Sequence, residues 1–311
     1  MLSFGIQKEN FKDLKNTVKT LKAEFYNNFE KEGKDWEEEP ERIVEVEFNN
    51  DGLIQKETSI RKGKPVGKVH YEYDNNAKML ERSFYDDEEK LIQKFTYRYD
   101  SQGNKAEEVE FDKEGKVRKR VKFYYDDFGR IKKEMRQGGD GITWGIFEFN
   151  YDERGNLIED IIKTGDNNLD WKTVNSYNTQ NKKIKQQSFD SKGKLKEEWT
   201  FELDQQGHVI HKVRLNENGK QDDEFNMEYD ENGLLLVEIR NPKSGNFENK
   251  KTFAYDSLGN LIMESYENGD GSYQDFRRFE YDYDNKKNWV QKKFYRNNEE
   301  VELIKRTFVY F

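Results

Sequence analysis

A tyrosine recurs every 26 residues: Tyr73, Tyr99, Tyr125, Tyr151 and Tyr177, then Tyr229, Tyr255 and Tyr281, with Leu203 in the one substituted place. Phe48 precedes the series by 25 residues, and a displaced copy, Tyr283, follows it. Constant spacing over such a length marks a repeat protein, in which each unit buries its apolar surface against the next. It restricts the fold more than any local propensity does.

Inside each unit the pattern has period two. Phe95, Tyr97 and Tyr99 alternate with Lys94, Thr96 and Arg98; Trp199, Phe201 and Leu203 alternate with Glu198, Thr200 and Glu202. Such alternation reads as a strand with one buried face. An acid follows the anchor directly, as in Asp74, Asp100, Asp126, Asp152, Asp204, Asp230, Asp256 and Asp282, with Asn178 replacing it once. Its side chain can accept a hydrogen bond from the backbone two residues on. Four residues after the anchor stands glycine (Gly103, Gly129, Gly155, Gly207, Gly233, Gly259), or else Asn181 or Ala77. That is the place for a positive φ in a hairpin closed by a type I turn and a glycine bulge. The return strands, with Ile131 and Met135, Leu157 and Ile161, Val209 and Val213, read as keeping the same parity. A second, more variable turn ("DKEGK", "DSKGK", "NENGK") closes each repeat.

One two-strand repeat cannot bury enough surface to offset the entropy of ordering it, so the repeats must fold together. The expected fold is all-β: a long antiparallel β-meander of about ten 26-residue repeats, in a curved or spiralling sheet that turns its aromatic face inward. The expected organisation is a single repeat domain over 1–311, with an atypical capping segment at 1–47, regular repeats at 48–283 and a C-terminal capping repeat at 284–311. Near the start, Leu14, Val18, Leu21 and Phe25 have helical spacing, yet "VKTLKAEFYNNFEKEGKDW" follows the strand-and-turn pattern of later repeats. Residues 8–30 stay open between helix and strand, a degenerate first hairpin being the favoured reading because terminal repeats are atypical. "KRTFVYF" reads as a last strand, where Lys305 and Arg306 would discourage edge-to-edge pairing.

Composition decides between folded and disordered. With 33% hydrophobic and 38% charged residues the chain leans toward disorder, but 14% aromatic residues supply large side chains to bury. A net charge of −9 argues against nucleic acid as a partner, and the absence of cysteine excludes disulfides and thiolate metal sites. No apolar run is long enough for a membrane span. "MLSFGIQKEN" lacks a basic region followed by an apolar one, so a cytoplasmic location is expected for the chain as written, and an envelope or secreted one if a signal was removed.

Repeated Tyr-Asp-x-x-Gly-Asn, as at Tyr99–Asn104, Tyr151–Asn156 and Tyr255–Asn260, resembles the YD-repeat or RHS-like proteins of bacteria, especially short versions found in Bacteroidetes. "NKKNWVQKKFY" is similar to the closing Gly-Asn-Trp phrase of that family, with Lys287 in place of glycine. The resemblance covers about residues 13 to 311. It implies a β-sheet spiral, a role in binding, encapsulation or surface attachment, in some cases to carbohydrate, and no shared catalytic residues. The repeat here is longer than the usual RHS unit.

No Gly-rich phosphate loop, nucleophile elbow or Ser/His/Asp arrangement appears, and no enzyme activity or cofactor is expected. Loops such as "TGDNNLDW" and "NGDGSYQD" lack the acid that closes a calcium loop and read as ordinary turns. His208 and His211, three apart in a strand, should point to opposite faces and not chelate together. Lys116, Arg118, Arg120 and Lys122, beside Arg98, read as a solvated charged face. One repeat is irregular: Thr173, Asn175, Lys183, Lys185 and Gln187 bring polar groups to positions that are apolar elsewhere. The candidate ligand-binding residues are therefore Trp171, Asn175, Tyr177, Lys183, Lys185 and Trp199, a set of polar groups beside aromatic rings that suits a sugar. The functional expectation is a non-enzymatic scaffold engaging a protein partner through a broad curved sheet, with a carbohydrate-binding cell-surface or secreted module as the alternative.

Overall fold

The computed structural model describes residues 14, 18–27, 39–241, 249–270 and 272–311. Everything regular among them is antiparallel strand, and they contain no helix. The chain divides into two compact units, Met1–Lys94 with Arg278–Phe311, and Phe95–Arg277.

The strands run β1 (Val18–Asn27), β2 (Arg42–Phe48), β3 (Ile54–Arg61), β4 (Lys64–Tyr73), β5 (Met79–Tyr85) and β6 (Leu91–Tyr99). Next come β7 (Lys105–Asp112), β8 (Val117–Tyr125), β9 (Ile131–Gly138), β10 (Thr143–Tyr151), β11 (Leu157–Thr164), β12 (Leu169–Tyr177), β13 (Lys183–Asp190) and β14 (Leu195–Leu203). The last are β15 (Val209–Asn216), β16 (Gln221–Tyr229), β17 (Leu235–Arg240), β18 (Asn249–Tyr255), β19 (Leu261–Asn268), β20 (Tyr273–Tyr283), β21 (Trp289–Arg296) and β22 (Glu299–Tyr310). Together they form one 22-stranded sheet.

β1 settles the N-terminal question over 18–27: it is a strand, and the rest of the 8–30 reading, Leu14 apart, lies outside the described residues. It also corrects the expected spiral. β1 pairs with β2 on one side and with β22 on the other, Leu21 facing both Val46 and Phe308. The sheet is therefore closed between its first and last strands, and β22 is not the charged free edge that Lys305 and Arg306 suggested. Closure removes the unpaired N–H and C=O groups that a spiral leaves at its ends. Around the closing strand lies the apolar core of the first unit: Val18, Leu21, Ala23, Phe25, Val44, Val46, Phe48 and Ile304.

The turns follow the sequence closely. In the repeat of Asp100, the Asp100 N–H donates to Asn104 O and the Gly103 N–H to Asp100 O, while Asp100 Oδ1 accepts from the N–H groups of Gln102 and Asn104. The same set recurs at Asp126, Asp152, Asn178, Asp204, Asp230 and Asp256. Ala77 and Asn181 take the positive φ that their positions demand. One anchor is displaced: the turn between β20 and β21 is headed by Asp284, not Asp282, with Lys287 at φ 65 in place of glycine.

Three of the carboxylates fixed in this way show the consequence for titration. Asp100 and Asp190 are held below the ordinary aspartate value chiefly by the backbone N–H groups of Asn104 and Lys194, and Asp152 chiefly by the Asn156 side-chain amide. A depressed folded-state pKa contributes stability that is present above the unfolded value and lost as pH falls through the folded one. The urea midpoint should thus fall as pH drops below about 3.8. Asp152→Asn, the residue already used at Asn178, should flatten that fall while keeping the turn; an unchanged profile would remove the caps from the account.

The recurring tyrosine reaches across to the preceding repeat. Tyr125, Tyr151, Tyr177, Tyr229 and Tyr255 donate their hydroxyls to the carbonyls of Lys105, Ile131, Leu157, Val209 and Leu235, each 20 residues earlier, at 2.8–3.0 Å. The accepting residue lies at the bulge that opens the return strand, so the ring ties one repeat to the next. Leu203 cannot make this bond to Lys183 O. Leu203→Tyr should stabilise the fold by about 1 kcal/mol, and Tyr151→Phe should destabilise it by a similar amount, as read from the urea midpoint.

The bulge also overturns the expected parity. At β8–β9 the register shifts between Tyr124 and Tyr125, after which Phe123 faces Glu134, Val121 faces Arg136 and Met135 faces Lys122. Residues directly opposite in an antiparallel pair share a face. Met135, and likewise Ile161 opposite Glu148 and Val213 opposite Thr200, therefore lie on the face opposite the aromatic anchors. Charged residues of the return strands take their place beside the rings. The aromatic face is accordingly a set of alternating ring and cation columns: Arg136 sits 4.0 Å from the Phe147 centroid, Lys212 4.1 Å from Phe225 and Lys105 4.7 Å from Phe123. Such contacts contribute roughly 0.5–1 kcal/mol each where exposed.

The two units differ in how much they bury. Of the fifteen fully buried apolar residues among those described, only Val109, Val121, Ile146 and Met227 belong to the second unit. There most rings are half-buried, because charge and ring share one surface.

Candidate functional site

The aromatic columns of the second unit are broken where polar residues take the ring positions. In β12 these are Thr173 and Asn175, between Phe147 and Phe149 of β10 and Trp199 and Phe201 of β14. The register fixes the rows of this floor. Asp160, Thr173, Ser188 and Glu197 lie across one row, and Asn175, Gln186 and Trp199 across the next. Trp171 stands opposite Ile162 on one side and Asp190 on the other.

Of the six candidate residues, Trp171, Asn175, Tyr177, Lys183 and Trp199 share this face. Lys185 does not. The bulge between Ser176 and Tyr177 puts it opposite Ser176 and Thr200 on the other face, where its ammonium pairs with Glu198 at 3.0 Å. Gln187 moves with it and donates to Glu198 at 2.7 Å. Asp160, Gln186 and Ser188 belong to the floor instead; applying the bulge shift after Gly155 and after Asn181 would have placed them there.

The floor is largely tied together. Lys183 Nζ donates to Gln186 Oε1 at 2.9 Å, and burial pushes the Asp160 carboxyl up, against a Thr173 hydrogen bond and the Lys183 charge that lower it. Asn175 Nδ2 donates to Leu157 O at 3.1 Å, the carbonyl that also accepts the Tyr177 hydroxyl. Asn175 is 7% exposed, and its Oδ1 is buried without a hydrogen-bond partner. Trp199 and Phe201 lie nearly parallel alongside, centroids 6.5 Å apart and planes 13° apart. A shallow cavity of about 350 Å³ lies toward the Asp152 turn, lined by Asp152, Arg154, Asn156, Ile158, Asn175, Ser176 and Tyr177 among others, and not by Thr173, Gln186, Trp199 or Phe201. A second, of about 260 Å³, surrounds Lys251, another polar residue at a ring position, with Phe225, Arg240 and Tyr266.

The remaining sequence candidates are partnered. His208 Nδ1 lies 2.9 Å from Asp204 and its ring stacks on Tyr229, while His211 bridges Glu202 and Glu224 on the far face. In the basic run, Arg98 and Arg120 both meet the buried Glu107 carboxylate. The loop from Asp166 closes as a turn like its neighbours, with Thr164 N donating to Asn168 O.

Fold and site together define an all-β repeat protein with mixed aromatic and charged faces. No family profile and no curated protein matches the chain. Among solved structures, TcdB2-TccC3 without its hypervariable C-terminal region aligns with 89% of this chain and 20% of its own, at 10% identity and a TM-score of 0.36. TcdB2-TccC3-Cdc42 aligns with 84% of this chain and 17% of its own, at 11% identity and a TM-score of 0.33. The chain thus spans about a fifth of the length of these structures. A porin-like protein from Bacteroides uniformis ATCC 8492 aligns with 95% of this chain and 98% of its own, at 11% identity and a TM-score of 0.27. These are likenesses of β-rich architecture alone.

Proposed function

We propose that the protein is a non-enzymatic β-repeat scaffold that engages a protein partner through the faces of its second unit. The observation that supports this is the placement of rings and charges together, half-exposed, along the aromatic face of the second unit. Side chains that would make a core in an ordinary sheet are here left reachable, and exposed aromatic and cationic groups are the ones protein interfaces favour. Phe128 (82% exposed), Ile142 (67%) and Trp144 (50%) extend the surface at the turns.

Mid-strand charges lie on both faces, Lys185 and Glu198 on one, Asp160 and Arg136 on the other. A lipid-facing strand needs an apolar outward band, so the reading is of a protein-facing and not a bilayer-facing sheet. The test is affinity capture with the intact chain, comparing wild type with Trp144→Ala/Ile142→Ser. The reading expects one stoichiometric partner, reduced at least about tenfold by the double variant through loss of an aromatic anchor. Equal recovery by both, or no partner under any condition, would overturn it.

A further inference from the structure

We infer that the face opposite the anchors docks a second copy of this chain, the basic sector of β6–β9 on one molecule meeting the acidic sector of β14–β16 on another. The inference goes beyond the scaffold reading and uses neither Trp144 nor Ile142.

The register places the charges. Glu107, Lys122 and Met135 lie across one row, Val109, Arg120 and Gln137 across the next, and Tyr124 stands beside Lys133. Arg98 joins them through its ion pair with Glu107. Four cations thus share these rows with one carboxylate, and neither Lys122 nor Lys133 has an ion-pair partner among the described residues. The same face runs from Lys133 through Glu148 and Ile161 to Lys172, and from Val174 through Gln187 to Glu198. Charge there is matched: Lys163 pairs with Glu148 at 2.6 Å, Lys172 with Glu159 at 3.3 Å and Lys185 with Glu198 at 3.0 Å. Beyond it the sign reverses. Glu202 lies opposite His211 and Glu224 opposite Val213, while Glu228 follows on β16 without an ion-pair partner among the described residues. Across β14–β16, His211 is the only basic side chain in the rows of these three acids.

A face that is basic at one end and acidic at the other is complementary to itself. Both sectors look out from one surface, so pairing them requires a second molecule, whose Glu202 and Glu228 supply the carboxylates that Lys122 and Lys133 lack. Exposure permits the contact: the Arg98 and Glu202 side chains are 74% and 72% exposed, and Tyr124 is 41% exposed. A shallow cavity of about 380 Å³ among Arg98, Glu107, Lys122 and Tyr124 gives an incoming carboxylate a seat with a ring beside it. The basic sector, four strands by about nine residues, covers roughly 550 Å². Two such sectors bury about 1,100 Å² together, the size of a transient contact. The net charge of −9 repels copies at long range, but screening beyond about 8 Å at physiological ionic strength leaves the outcome to the facing sectors. Each copy offers both sectors, so the contacts are heterologous and repeat head to tail.

The experiment is sedimentation velocity on the intact chain at micromolar to submillimolar concentration, in about 100 mM and about 500 mM NaCl. Wild type is expected to associate beyond the dimer, its apparent Kd rising at least about tenfold at the higher salt. Lys122→Glu/Lys133→Glu and Glu202→Lys/Glu228→Lys should each be monomeric alone. Mixed, they should form a one-to-one complex, because each keeps the sector that the other has lost. Side chains with a merely structural role would not restore association on mixing. If a reversal prevents folding, the same four positions changed to Gln make the same test. Trp144→Ala/Ile142→Ser should leave association unchanged, which separates this contact from the partner sought above. A wild-type chain monomeric throughout, association indifferent to salt or to the folded reversals, association lost in the Trp144 variant, or reversed variants that stay apart when mixed would each overturn the inference. Binding of a poly-glutamate peptide by a chain that stays monomeric would assign the basic sector to another partner and overturn it too.

Discussion

Leu21→Ala is expected to destabilise the first unit by about 2–5 kcal/mol, the range for truncating a large aliphatic side chain in a packed core. Leu21 is 1% exposed and lies opposite both Val46 and Phe308, so the cavity left behind has packed walls on two sides. Ile161→Ala in the second unit should cost clearly less, because Ile161 is only half-buried beside Glu148 and Lys172. Urea denaturation with an unchanged m-value would measure both. Equal losses at the two positions would contradict the contrast between a buried core at the closing strand and shared, half-exposed faces elsewhere.

Gly139→Ala and Gly165→Ala should be nearly as damaging, for a different reason. A Cβ at Gly139 would stand 2.0 Å from the Val117 carbonyl oxygen, and one at Gly165 1.9 Å from that of Thr143. Both obstacles are backbone in a neighbouring strand, which cannot swing aside, so overpacking of about 1–3 kcal/mol or more is expected. Gly115→Ala provides the comparison: φ is +78° and nothing lies within 4 Å, so only conformational strain of roughly 1–2 kcal/mol acts. Thermal midpoints of the three variants would separate contact from strain. If Gly115→Ala proves the most harmful, the close approach at Gly139 and Gly165 is not what those glycines serve.

The strands and turns were legible because each repeat states them several times over. The Asp that accepts from the backbone and the glycine at positive φ are chemically forced. The sidedness was not legible, although its cause was already identified. A bulge inserts one residue, and one residue flips every side chain after it. Reading Met135 and Lys185 as level with the anchors ignored that step, and so assigned Lys185 to a floor that Gln186 occupies. Asn175, Tyr177 and Trp171 share a face of β12, with Trp199 of β14 on the same face, because no extra residue is inserted between Trp171 and Tyr177 or between Trp199 and Phe201. Closure was illegible for another reason. Val18–Asn27 and Glu299–Tyr310 show alternation but no complementary code, and pairing across nearly the whole chain leaves no local trace.

The seam between β1 and β22 makes the fold's completion a late event. Every other neighbouring pair for which a register is established joins strands adjacent in the chain and can zip as a hairpin during synthesis, whereas β1 must wait for the last strand to emerge. Deleting Glu299–Tyr310 would strip one side of β1 and one side of β21 at once, leaving two strands with unpaired, adhesive edges.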